Sequence, residues 1–259
     1  MSYMSGNLVA LQTIVRREIV RILRIWTQTL IPPAITMTLY FVIFGKLIGS
    51  RIGTIQGGFS YMQYIVPGLV MMSIITNSYG NISSSFFGAK FQRSVEEMLV
   101  SPMSNWVILL GYVTGAVARG LVVGLLVLLI ALGFTSLHVA HPLITLLSVL
   151  FGATIFSLAG FVNAIYAKKF DDIALVPTFV LTPLTYLGGV FYSVTMLGEP
   201  WQAISRINPI LYMVNAFRFG VLGISDVQIG VAFAVMMAFV IGLSWLALNL
   251  LKRGVGLRS

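Results

Sequence analysis

The side chains able to do chemistry are few and sit at the edges of long apolar runs. The carboxylates are Glu18, Glu96, Glu97, Asp171, Asp172, Glu199 and Asp226. None falls in the middle of an apolar run. A proton- or sodium-coupled transporter places acids at membrane depth, so this pattern argues against one. The two histidines, His138 and His141, lie three apart beside Pro142 with no carboxylate or cysteine near them. They read as turn residues, and no metal site is expected. No serine, histidine and carboxylate are placed for hydrolysis, so the chain is not expected to be an enzyme. No glycine-rich loop ending in Gly-Lys-Ser/Thr occurs. If ATP drives the protein, another chain binds it.

Arg119 is different. It lies about 14 residues into an uncharged stretch, roughly 20 Å along a helix. A lone arginine at that depth must face protein or water. It serves either as a contact for an anionic group or gate, or as a structural donor to a neighbouring helix. A polar run, Thr76, Asn77, Ser78, Tyr79, Asn81, Ser83, Ser84 and Ser85, interrupts another apolar stretch. Thr178, Thr182, Thr185 and Tyr186 are spaced to share one face of a regular helix, with Pro177 and Pro183 as kinks. Both segments suit either a pathway wall or a plain helix seam.

The elements that position these residues follow from composition. Of 259 residues 58% are hydrophobic and 9% charged, and mean hydropathy is +0.97. A soluble domain carries about 25% charge, so lipid must be the solvent for most of the chain. Six spans are expected: 27–48, 61–86, 105–133, 143–166, 173–194 and one between Asp226 and Lys252. No small-x-small site follows the first span, so no cleavable signal peptide is expected. The chain lacks cysteine and carries net charge +9. The cations gather at span ends, so they report topology and not nucleic-acid binding.

Residues 199–225 hold Pro200, Arg206, Pro209 and Arg218. Asn208-Pro209 reads as an N-cap followed by proline in the first helical position. Counted as a full span, this stretch would make seven crossings and set the basic C-terminus opposite the basic N-terminus. With six, eleven of the sixteen Lys and Arg residues fall on one side. Positive residues favour the cytoplasm, so both termini are expected there. Residues 195–225 then form two short helices dipping in from outside. Residues 1–26 form an amphipathic interfacial helix: Leu8, Leu11, Val15, Ile19, Ile22 and Trp26 make one stripe, and Arg17, Arg21 and Arg24 another. The arginines meet lipid phosphates or a partner.

Two segments resemble the ABC-2 family of ABC-transporter permeases. One is Glu96-Glu97-Met98-Leu99-Val100-Ser101-Pro102-Met103-Ser104, with Leu110-Gly111-Tyr112 after it. The other is Pro183-Leu184-Thr185-Tyr186-Leu187-Gly188-Gly189-Val190-Phe191-Tyr192, then Ile207-Asn208-Pro209, Tyr212 and Arg218. Gly198-Glu199 departs from the Leu-Pro that members often carry there, which bears only on an external loop. The resemblance covers nearly the whole chain. It implies an all-α polytopic membrane protein of type V exporter fold: six spans in 27–259, a coupling loop at 88–104 and a re-entrant hairpin. It also implies a homodimeric permease in the bacterial inner membrane, served by two copies of an ATP-binding cassette subunit that holds ATP and Mg. Glu96, Glu97, Leu99, Ser101, Pro102, Arg17 and Arg21 would contact that subunit. Asn77, Asn81, Thr178, Thr182, Thr185, Tyr186 and Phe191 would face the twin chain and the pathway. Asn208, Pro209, Tyr212 and Arg218 would build the hairpin. An ATP-independent channel or secondary transporter, and a membrane assembly factor, remain the alternatives.

Overall fold

A computed structural model describes residues 3–55 and 58–256, with side chains from residue 6 onward. It is 83% helical, without a strand among the described residues. Helix α1 (Tyr3–Arg24) leads into α2 (Trp26–Tyr40), which continues through a π-helical turn (Phe41–Ile48) into α3 (Gly49–Ile52). Then come α4 (Tyr61–Phe91), α5 (Ser94–Val100), α6 (Asn105–Leu132) and α7 (Pro142–Tyr166). Helix α8 (Phe170–Val176) runs through a second π turn (Pro177–Leu181) into α9 (Thr182–Leu187). Helices α10 (Glu199–Ile207), α11 (Pro209–Leu222) and α12 (Ile229–Arg253) complete the chain.

Among the described residues five helical stretches are long and apolar enough to cross a membrane: Trp26–Ile52, Asn105–Leu132, Pro142–Tyr166, Phe170–Leu187 and Ile229–Arg253. The longest helix, α4, is not among them, because its polar run lowers its hydropathy. At 31 residues it still extends about 46 Å. It packs between α6 and α7, and it tolerates its polar residues because they face protein or bond to its own turns. Ser83 Oγ donates to Tyr79 O (2.8 Å) and reaches Gly160 O on α7 (3.3 Å). Close approach needs glycine: a Cβ on Gly120 of α6 would lie 2.0 Å from Ser78 Oγ, and one on Gly160 would lie 2.7 Å from Tyr79 O. The helix begins at a capping box in which Ser60 and Gln63 exchange bonds.

One hydrophobic core surrounds Tyr64, Ile74, Val127, Met213 and Phe217. A second surrounds Phe86, Tyr112, Phe161 and Leu250, at the other end of α4. There Phe86 meets Phe161 with ring centroids 4.2 Å apart and stands edge-on to Tyr112 at 5.2 Å.

The fifth span departs from expectation. It ends at Leu187, not at residue 194, because Gly189 takes φ +70° and turns the chain. Pro177 opens a π turn, and Thr182 Oγ1 donates to Pro177 O five residues back. That extra residue breaks the regular spacing. Thr178, Thr182 and Tyr186 are exposed while Thr185, within α9, is buried, so the four do not share one face.

Residues 199–222 form two short helices. Asn208 Oδ1 accepts from Ile210 N, and Pro209 takes the first helical position of α11. Its 14 residues extend about 21 Å, short of the roughly 30 Å hydrocarbon layer. Asp226 fastens the following loop: its Oδ2 accepts from Val194 N at 3.0 Å, and its own N–H donates to Asn215 Oδ1 at 2.9 Å.

Candidate functional site

Helix α1 lies along α6 in a groove made by two glycines one turn apart. A Cβ on Gly111 would sit 2.6 Å from Ile14 Cγ2, and one on Gly115 would sit 2.4 Å from Glu18 Cβ. The buried line of α1 is Ile14, Glu18 and Ile22. The expected apolar stripe is rotated away from it: Leu8 and Trp26 are exposed. The sequence sets Glu18 at the edge of the apolar runs; the structure buries it, with a side chain 1% exposed.

A charged cluster forms around that carboxylate. Ser85 Oγ of α4 donates to it, 2.6 and 2.7 Å from its two oxygens. Arg21 Nη2 donates to Glu18 Oε2 at 3.0 Å and to Asn81 Oδ1 at 2.8 Å. Arg119 Nη1 reaches the same Asn81 oxygen at 3.5 Å. Arg17 donates to Tyr112 Oη, with its guanidinium carbon 5.2 Å from the ring centroid, and lies 3.7 Å from Glu18. Residues given three separate roles by the sequence (Arg17 and Arg21, Asn81, Arg119) thus meet in one place. Asn81 is fully buried. Asn77 is half-buried and donates to Ser73 O. Sequence reasoning missed Glu18. The available signal was its place on the Leu11, Ile14, Ile22 line, three residues before Arg21.

The loop after α4 stands apart. Arg93, the only non-glycine residue with positive φ among those described (60°), turns the chain, and α5 follows. Val95 anchors α5 at 1% exposure, while Val100 at its end is 88% exposed. Glu96, Glu97, Val100 and Ser101 border one open concavity. Leu99 is half-buried and Pro102 exposed. The loop is tied back to α1, because Ser104 N donates to Asn7 Oδ1 at 3.1 Å.

At the other end of α4, Phe191 stacks on Tyr186 (5.8 Å) and packs on Phe44 (4.8 Å) and Tyr40 (5.9 Å). Asn208 Nδ2 donates to Leu184 O, and Tyr212 Oη donates to Arg206 O. Arg218 is fully buried. Its Nη2 donates to Gly189 O (2.7 Å), its Nε reaches Tyr64 O (3.4 Å), and its guanidinium lies 4.0 Å from the Tyr64 ring centroid. The arginine thereby joins α11, α4 and the turn after α9. Among the described residues no group of three or more His, Cys, Asp or Glu could hold a metal.

Comparison with known proteins covers most of the chain. The family model for the ABC-2 type transporter matches residues 9–222. The inner membrane transport permease YadH of Escherichia coli (strain K12) is 58% identical over 251 residues, 97% of this chain and 98% of the relative. Nodulation protein J of Rhizobium meliloti (strain 1021) is 28% identical over 221 residues, 83% of this chain and 82% of the relative.

Proposed function

The chain belongs to the ABC-2 type transporter family, and from that premise we propose that it is the permease subunit of an ABC exporter, working as a homodimer driven by two separate ATP-binding subunits. In this reading α4 is a sixth crossing beside the five apolar ones, both termini are cytoplasmic, and α10 and α11 form a re-entrant hairpin in the outer leaflet. The membrane is the bacterial inner membrane. ATP and Mg belong to the partner subunit, and this chain supplies the moving wall. Asn77, Thr178, Thr182, Tyr186 and Phe191 face the twin chain or the pathway.

The observation that carries this reading is the placement of α5. It stands at the end of the longest helix and directly before α6, with an apolar residue 88% exposed beside Glu96 and Glu97. An exposed apolar tip with acidic neighbours suits a cleft in another protein, since an apolar core within a polar rim is how interfaces are built. A push on α5 reaches α4 through Val95 and α1 through the bond between Ser104 and Asn7. Rigid packed helices transmit such a push as a shift of the whole element. Arg17 and Arg21, by contrast, turn toward Glu18, so their contribution to coupling acts through the position of α1.

The tagged chain purified from its own cells in mild detergent is expected to bring an ATP-binding subunit with it in equal copy number. An ATPase-free preparation that still moves substrate would overturn the reading. The chain has no native cysteine, so topology is testable by single introduced thiols. Asp226→Cys should label from outside and Lys252→Cys only from inside. Labelling of both from one side would refute six crossings.

A further inference from the structure

Beside the charged cluster a cavity of about 240 Å³ opens between α1 and α4, lined by Arg17, Glu18, Arg21, Ser84, Ser85, Gly88 and their neighbours up to Ser94. We infer that this cavity is a binding site for the phosphate of an anionic membrane lipid, held between the guanidinium groups of Arg17 and Arg21. The inference goes beyond the transport reading and does not depend on it.

Charge is the first argument. Two arginines line the cavity against one carboxylate. That carboxylate is already engaged by Ser85 and by Arg21 Nη2. A guanidinium carries five N–H donors. The described contacts to Glu18, Asn81 and Tyr112 all use Nη2 of the two arginines. Donors left over in a positively charged recess suit the several acceptor oxygens of a phosphate, which guanidinium groups bind in a fork.

Location selects the lipid as the source of that phosphate. Helix α1 exposes Val20 (45%), Leu23 (65%) and, just past its end, Trp26 (56%). An amphipathic helix with such residues lies at the boundary of headgroups and acyl chains, and tryptophan prefers that level. A recess along its flank opens at headgroup depth. Phe91, 65% exposed next to Gln92 of the rim, offers apolar surface to an acyl chain. Basic pockets between membrane helices at the positively charged face are where anionic headgroups bind.

The test uses the full chain, purified alone and stripped of lipid, with native mass spectrometry counting bound lipid. Phosphatidylglycerol, phosphatidylcholine and inorganic phosphate are added separately and in competition. Phosphatidylglycerol is expected to be retained about tenfold more strongly than phosphatidylcholine, which has the same phosphate but also a choline cation that the two arginines repel. Gly88→Leu fills the recess without removing charge, and a Cβ there meets nothing within 4 Å, so this variant should fold. Arg17→Gln removes one charge. Each should lower phosphatidylglycerol retention about tenfold and leave phosphatidylcholine retention unchanged. Equal retention of the two lipids, or retention untouched by both substitutions, would overturn the inference. Displacement of phosphatidylglycerol by an equal concentration of inorganic phosphate would overturn the lipid assignment in favour of a soluble anion.

Discussion

Both carboxylate oxygens of Glu18 lie within hydrogen-bond reach of the Ser85 hydroxyl, at 2.6 and 2.7 Å, across the seam between α1 and α4. A carboxylate this buried is stable only with donors around it. Ser85 and Arg21 supply them, and Arg21 carries the link on to Asn81, near Arg119. The amphipathic lead-in helix is therefore bolted to the bundle by polar bonds and does not simply rest on the lipid surface.

Replacing Glu18 by leucine strands Arg21 and Ser85 without their acceptor. Arg21 is 29% exposed and keeps Asn81, so the loss is that of the buried hydrogen bonds, about 1–3 kcal/mol, and Glu18→Leu should lower the unfolding temperature in detergent. Glu18→Gln keeps an acceptor and should cost less. Pairing Glu18→Leu with Arg21→Leu should restore part of the loss, because neighbours sharing a bond are not additive. Additive losses in the double variant would show that the pair is not coupled.

Gly115 has no room for a side chain under Glu18. Gly115→Leu should lift α1 from α6. The readout is a disulfide between cysteines placed by Asn7→Cys and Ser104→Cys, whose parent residues share a 3.1 Å bond. The link should form in the parent background and fail with Gly115→Leu. Unchanged crosslinking would mean that the groove is not what seats the helix.

Arg218 binds two backbone carbonyls and covers the Tyr64 ring, which a lysine cannot reproduce. Arg218→Lys should destabilise the protein by about 2–3 kcal/mol, the loss of a hydrogen bond to a charged group and of the ring contact. Tyr64→Phe keeps the ring face and removes only the hydroxyl, which lies beside Ser193 and Asp226, so that variant should lose less. Thermal unfolding followed by circular dichroism separates the two. Parity between Arg218→Lys and the parent would remove the buried arginine from the list of fastenings.

For the contact proposed between α5 and an ATP-binding subunit, Val100→Asp places a charge on the most exposed apolar residue of α5, and Glu97→Lys reverses its rim. Each should reduce recovery of the ATP-binding subunit in a pull-down about tenfold, as the loss of one central interface contact would. Stability of the permease itself should not move, because both side chains are exposed. Full recovery with both substitutions would place the contact elsewhere.

Much of the architecture was written in the sequence. Uncharged runs bounded by Lys and Arg marked the long helices, because lipid excludes charge. Asn208-Pro209 announced the start of α11, because a cap and a proline act on their own turn. The acidic Ser-Pro segment marked the loop that became α5. These signals are local, and periodicity or chemistry within a few residues is enough to carry them.

The rest needed the tertiary structure. Periodicity found two faces on α1 but not which of them meets protein. In a membrane both neighbours are apolar, so hydrophobicity alone does not choose. The choice came from glycines 111 and 115, about 100 residues away, and from Ser85, which makes burial of Glu18 affordable. Regular spacing likewise grouped Thr178, Thr182, Thr185 and Tyr186, but packing turns Thr185 of α9 inward and leaves the other three exposed. Arg119 was legible as a charge that needs a neighbour. That the neighbour is Asn81, shared with Arg21, was decided by how three helices cross.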